Sequence, residues 1–248
     1  MKSFRLGSTR DNCCYAGMVI AFLCVALGIV WMGVAMARAR RQREAKRVLE
    51  NIDAMVLYHW QDDYVESPYP GWFEAMLGTD VLGRVDVVLV YGKTITDHAA
   101  AALGDLHDLE RLTLNGSTMA NDGLRHIRHL GKLRYLDLGH TGVGDSELEH
   151  VACLSALEEL KLNDTGITDA GLRQLADLQM LKTLNLSGTH VTDVGILSLV
   201  SLQSLETVEL YDTGVTSEGV AALETALPRL HIGHYAASVE RTGATAGP

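Results

Sequence analysis

Leucine recurs at Leu106, Leu130, Leu154, Leu178 and Leu202, each 24 residues after the last, and Leu82 extends the series backwards. Self-similarity at a fixed period marks a repeat architecture. Other apolar columns keep the same period: Val85 to Leu205, Val88 to Val208, Val90 to Leu210, Ile95 to Val215, Ala100 to Val220 and Leu103 to Leu223. Seven columns over six units give 42 positions, all aliphatic or Met, in a chain that is 47% hydrophobic. Composition alone would place apolar residues at only about 20 of them.

The offsets predict the elements. Leu112-Thr113-Leu114 alternates like a strand with one buried face, and Leu172, Leu175 and Leu178 share one face of a short helix. Between strand and helix runs the column Asp97, Asn121, Asp145, Asp169, Asp193 and Ser217, all good helix N-caps. Each unit is therefore expected to be strand, turn and capped helix. No unit can bury its own apolar edge, so the units stack, with a parallel sheet on one wall and helices on the other.

This pattern resembles the leucine-rich repeat proteins in the version LxxLxxLxLxxTxITDxGL, which stands here as LSALEELKLNDTGITDAGL (154–172) and LQMLKTLNLSGTHVTDVGI (178–196). The resemblance covers residues 82–227 and implies an α/β fold: a right-handed leucine-rich repeat solenoid, or horseshoe, with its parallel sheet on the concave face. The ITDxGL element also resembles cysteine-containing repeats of F-box substrate receptors. Where those often carry Cys or Asn, this chain has Thr141, Thr165, Thr189 and Thr213, expected to form a buried hydroxyl ladder on turn backbone.

Upstream of the repeats the pattern changes. Residues 13–36 hold 24 residues without a charged group, His, Asn, Gln, Ser, Thr or Pro. As a helix they span about 36 Å, enough to cross a hydrocarbon core of about 30 Å. Ala35-Met36-Ala37 has the form of a signal-peptidase site, but the run is long for a signal peptide. Three Lys or Arg precede it and six follow within residues 38–47, so the repeats are expected on the cytoplasmic side of a single-pass membrane protein. An apolar segment, a basic linker and this repeat together resemble a group of bacterial membrane-anchored repeat proteins.

The expected order is thus an N-terminal tail (1–12), a transmembrane helix (13–36), a basic juxtamembrane helix or linker (37–52), an N-terminal cap (53–81), six repeats (82–227), a C-terminal cap strand (228–235) and a disordered tail (236–248). In the cap, Met55 to Trp60 has strand composition, and Trp72, Phe73, Met76 and Leu77 suit a short amphipathic helix covering the first repeat.

Charge and chemistry narrow the function. Residues 1–12 carry +2 and 38–47 carry +5, so the rest holds −17 of a net −10, and nucleic acid is excluded as a partner. Of Cys13, Cys14, Cys24 and Cys153, only the last lies in the body, which cannot form a disulfide within itself. No phosphate loop, HExxH or GxSxG motif occurs. His126, His129 and His150 recur on adjacent helices, but Arg125 and Arg128 beside them oppose a cation, and the Asp column already has a capping role. No catalytic residue, metal or cofactor is expected.

The expected function is a non-catalytic, membrane-anchored scaffold that binds a protein or peptide. The alternatives are a substrate-recognition component of a ubiquitin-ligase-like complex, or a weakly catalytic hydrolase. The candidate surface is the outward side of the strands: Arg111, Tyr135 and Glu159 in one column, Thr113, Asp137, Lys161 and Asn185 in the next, and Tyr91, Asn163 and Tyr211 in the third. On this reading Asp137 neutralises Lys161, and Arg111 lies near Glu159.

Overall fold

The computed structural model describes residues 9–59, 70–120 and 122–234, and only the backbone of residues 9–21, 73 and 77. The expected tail 236–248, most of the N-terminal tail, and Trp60 and Asn121 lie outside the described residues.

The chain opens with α1 (Thr9–Glu50), β1 (Met55–Tyr58), α2 (Gly71–Leu77) and α3 (Thr79–Leu82). The repeats follow with β2 (Val85–Leu89), β3 (Thr94–Ile95), α4 (Asp97–Gly104), β4 (Arg111–Thr113), β5 (Thr118–Met119), β6 (Tyr135–Asp137) and α5 (Leu148–Val151). They continue with β7 (Glu159–Lys161), α6 (Asp169–Leu172), β8 (Thr183–Asn185), α7 (Asp193–Ile196), β9 (Thr207–Glu209), α8 (Ser217–Ala226) and β10 (His231–Gly233). Short 3-10 turns complete the helical wall.

Eight strands form one sheet in the order β1-β2-β4-β6-β7-β8-β9-β10. β2 to β10 are parallel, and residues 24 apart are register partners, as in Leu136 with Leu160 and Leu160 with Leu184. Every residue of the seven apolar columns is buried except Leu82, Met119 and Val220, which are partly so. The fold is therefore an α/β solenoid with one continuous core running its length.

Two polar columns hold the turns. Thr141, Thr165, Thr189 and Thr213 donate through Oγ1 to the carbonyls of Leu138, Leu162, Leu186 and Leu210 at 2.6, 2.5, 2.6 and 2.9 Å, the expected hydroxyl ladder. The turn after each strand passes through the left-handed region at Gly92, Gly116, His140, Asp164, Gly188 and Asp212. Gly adopts that conformation freely, and Asp and His are the other residue types that tolerate it best.

The Asp column does not cap helices. The N-caps of α4, α6, α7 and α8 are Thr96, Thr168, Thr192 and Thr216, one residue earlier, and Asp97, Asp169, Asp193 and Ser217 open the helices. The carboxylates of Asp145, Asp169 and Asp193 instead reach the next repeat. The backbone N–H and hydroxyl of Thr168 donate to Asp145 at 2.8 and 2.6 Å, those of Thr192 to Asp169 at 2.7 and 2.6 Å, and those of Thr216 to Asp193 at 2.8 and 2.7 Å. Each threonine thus caps its own helix while donating backwards, a charge-assisted staple between repeats.

The glycine of the motif makes room for the staple: a Cβ on Gly171, Gly195 or Gly219 would lie 2.2, 2.2 or 2.1 Å from the Oδ1 of Asp145, Asp169 or Asp193. Toward the N-terminus, Ala120 and Gly144 stand where the threonine should be, and the staple lapses. Asp97 there pairs with Arg125 and His126 at 2.6 and 2.9 Å.

The N-terminal end departs further from the sequence expectation. Of the helix or linker expected over 37–52, the helix is what forms: α1 continues from the apolar run as far as Glu50. Ala35, Ala39, Ala45 and Leu49 of α1 are buried, and this half of the helix packs along α4 in the place of a preceding repeat's helix. The buried Gln42 satisfies three backbone groups: its Nε2 donates to the carbonyls of Asp80 and Gly83 at 3.0 and 3.2 Å, and its Oε1 accepts from Val85 N–H at 2.9 Å. β1 pairs antiparallel with β2, and Tyr58 donates to Asp80 beneath it. Of the α2 side chains expected to cover the first repeat, Trp72 and Met76 are exposed.

The staple predicts non-additive energetics. Gly195→Ala should cost about 1–3 kcal/mol by overpacking. In an Asp169→Ala background the same change should be neutral or stabilising by up to about 1 kcal/mol, since Ala is the better helix former. Denaturant titration of the four proteins checks this, and additive costs would contradict the staple.

Candidate functional site

The inner sheet presents three columns, and their register follows from the 24-residue period. Arg111, Tyr135, Glu159 and Thr183 are successive partners in the first, and Thr113, Asp137, Lys161 and Asn185 in the second. Tyr91, Asn115, Gly139, Asn163, Ser187 and Tyr211 follow in the third, just beyond the strand ends.

Tyr135 is the centre of the arrangement. Its ring lies 5.1 Å from the Arg111 guanidinium and 5.3 Å from the Lys161 ammonium, so two cations from flanking strands face one aromatic ring. Lys161 also pairs with Glu159 at 3.4 Å in its own strand. Burial works against the charge of Lys161, but Tyr135 and Glu159 outweigh it and hold the ammonium above the ordinary lysine value. The group is cationic throughout the physiological range.

The expected Asp137–Lys161 neutralisation is not formed. Asp137 is buried and bound to its own turn, accepting from Gly139 N–H at 2.9 Å and from Asn115 Nδ2 at 3.2 Å. Asn185 does the same one repeat pair later, accepting from Ser187 N–H at 2.9 Å and donating to Glu209. Thr113 is buried as well. Thr113 and Asp137 are thus covered by their neighbours, whereas Asn185 is half-buried and still faces the concavity of the inner sheet. Gly139 is needed there: a Cβ would come within 2.5 Å of Asn163 Oδ1 and 2.9 Å of Asn115 Nδ2.

Arg111 is exposed, while Tyr135, Glu159, Lys161 and Asn163 are half-buried and reachable from solvent. Asn163 donates to Asp164 at 3.1 Å and lies 3.2 Å from His140 Nε2. A shallow concavity of about 440 Å³ covers Lys161, Asn163, Asn185 and Ser187, and another of about 280 Å³ adjoins it at Arg111, Tyr135 and Glu159. Tyr91, well exposed, and Tyr211, half-buried, stand at opposite ends of the third column rather than beside this cluster.

The helical wall has different chemistry. A concavity of about 250 Å³ lined by Met119, Asp122, Leu124 and Val143 opens where the staple lapses. His126 and His150 do not converge: the first faces Asp97, and the second faces Asp122 at 2.7 Å. No group of three potential metal ligands occurs among the described residues. Cys153 donates through Sγ to the carbonyl of Glu149 at 3.5 Å, one turn back.

Stacked strand–turn–helix units lined by leucine define a leucine-rich repeat solenoid. The family model described as Leucine Rich repeat matches residues 155–176 and 177–200, and the chain is a leucine-rich repeat protein. Among solved structures, internalin C2 from Listeria monocytogenes str. 4b F2365 is similar at 19% identity over 63% of this chain and 75% of that one, with a TM-score of 0.45. An internalin (inlF) from the same organism is similar at 21% identity over 54% of this chain and 45% of that one, with a TM-score of 0.40. No curated protein matches the chain.

The division between scaffold and presented residues is measurable. Asp137→Ala should destabilise the solenoid by about 1–3 kcal/mol, since it strands Gly139 N–H and Asn115. Arg111→Ala should stay within about 0.5 kcal/mol of the parent. Equal effects in chemical denaturation would show that the two residues have been sorted wrongly.

Proposed function

We propose that the chain is a non-catalytic scaffold, anchored in a membrane by α1, that binds a protein or peptide on its inner sheet. The Tyr135 ring between Arg111 and Lys161 carries this reading. Tyr and Arg are the residue types that most often anchor interfaces, and a ring held by neighbours on both sides loses little conformational freedom on binding. In a body this acidic, a pair of cations around an aromatic ring is a local exception that suits a partner with acidic or carbonyl-rich segments. The surrounding Glu159 and Asn163 supply hydrogen-bonding groups for an extended backbone.

The anchor reading rests on α1, whose apolar part is long enough to cross a bilayer and is almost entirely exposed. The excess of basic residues after that part supports a cytoplasmic location for the repeats.

Partner capture from membranes carrying the full chain tests the surface. Tyr135→Ala and Arg111→Ala should each weaken capture by about tenfold or more while leaving the unfolding midpoint unchanged. His126→Ala, on the helical wall, should leave capture intact. Loss of capture confined to wall substitutions would overturn the assignment. Protease added to sealed cells should spare the repeats, and their digestion would reverse the orientation.

A further inference from the structure

The N-terminal cap bears an apolar face that the stack does not use. Trp72 and Met76 of α2 lie four residues apart, on one side of the helix, and are 69% and 64% exposed. Close to this face runs α1, which is continuous from the apolar run into the body.

The apolar run ends at Met36, yet Ala35 is already buried, packed with Ala39 against Val81 of α3. Residues 22–34 are almost entirely exposed, and the helical stretch from residue 13 to residue 34 is about 33 Å long, close to the ~30 Å of a hydrocarbon core. No spacer separates the apolar run from the solenoid. Arg38 donates to the carbonyl of Val81 at 3.3 Å, and Arg43 pairs with Asp80 at 2.7 Å, which locks α3 to this level of α1. α2 ends beside it: Gly78 donates to the Glu74 carbonyl at 2.7 Å, and a Cβ on Gly78 would sit 3.3 Å from Arg43 Nη2. Arg43 is about 10 Å along the helix from Met36, just beyond the outer edge of a headgroup layer about 5–8 Å thick.

Resting on the proposed membrane anchoring, we infer that α2 lies in the headgroup layer of the bilayer that α1 crosses, with Trp72 and Met76 inserted among the upper acyl carbons. Tryptophan partitions to that zone because its ring is apolar and its N–H is polar. Arg40, Arg41 and Arg47, exposed on α1 at the same end, supply charge for lipid phosphates. The occupant of this face is therefore the lipid surface, and the solenoid is seated on the membrane by its cap at a fixed attitude.

Two variants of the full chain in vesicles of mixed neutral and anionic lipid test this. One retains only Trp72 (Trp31→Phe, Trp60→Phe) and the other only Trp31 (Trp60→Phe, Trp72→Phe). Lipids brominated near the carbonyl should remove most of the Trp72 emission, and iodide in the aqueous phase should remove little. Trp31 should be quenched by lipid bromine as well, which reports the anchor independently. Lipid quenching of Trp31 with full iodide access at Trp72 would overturn the seating while sparing the anchor. Shielding of Trp72 from iodide without quenching by lipid would assign the face to a second copy or another protein contact, and would also overturn it. Absence of lipid quenching at both positions would remove the anchor and the seating together.

Discussion

A 24-residue unit of this chain has leucines on a strand edge and on a helix edge, and no way to cover either alone. The neighbouring unit must bury them, at a spacing that satisfies both walls at once. On the inner wall the spacing is set by parallel backbone pairing, with Leu136, Leu160 and Leu184 in register. On the turn side it is set by the carboxylates of Asp145, Asp169 and Asp193, each gripping the cap threonine of the next unit. The glycine that follows is the void the carboxylate occupies. Hence threonine, aspartate and glycine form one motif, because each is shaped by the other two.

Stacking leaves two open ends, and the way they are closed bears on function. At the N-terminus α1 substitutes for a missing repeat, and Gln42 satisfies the backbone at the start of β2. At the C-terminus β10 continues the sheet beyond β9 in the same parallel register. The helix that closes the first end is also the one with the exposed apolar run, so whatever fixes α1 fixes the whole solenoid. The inner sheet is then presented in a defined direction, its centre marked by Tyr135 and the two cations around it.

Much of this was legible in the sequence. The period, the strand columns and the buried leucines followed from spacing alone, because each repeats six times with the same physical role, and the four threonines of the ladder were picked out beside the family resemblance. The aspartate column was misread because threonine and aspartate stand side by side and both are good caps. Only the geometry of the next repeat decides which one caps and which one staples. Asp137 and Thr113 were read as presented because alternation gives the side of a strand a residue faces, and burial there depends on the neighbouring side chains. Gln42 carried no periodic signal at all: it is a single amide in a basic stretch, and its role appears only when α1 meets β2. The left-handed column from Gly92 to Asp212 was present in the sequence as a run of Gly, His and Asp, and could have been found by asking which residues tolerate positive φ.

The central claim is that the inner sheet, and not the helical wall, meets the partner. A photocrosslinking amino acid placed in living cells beside the cluster, at Thr183, Ser187 or Thr207 of the inner sheet, and separately at the exposed wall positions Arg128, Glu149 or Arg173, tests it most directly. The account predicts one discrete crosslinked species shared by the three inner positions and absent from the wall positions. A discrete species formed from the wall alone would contradict it.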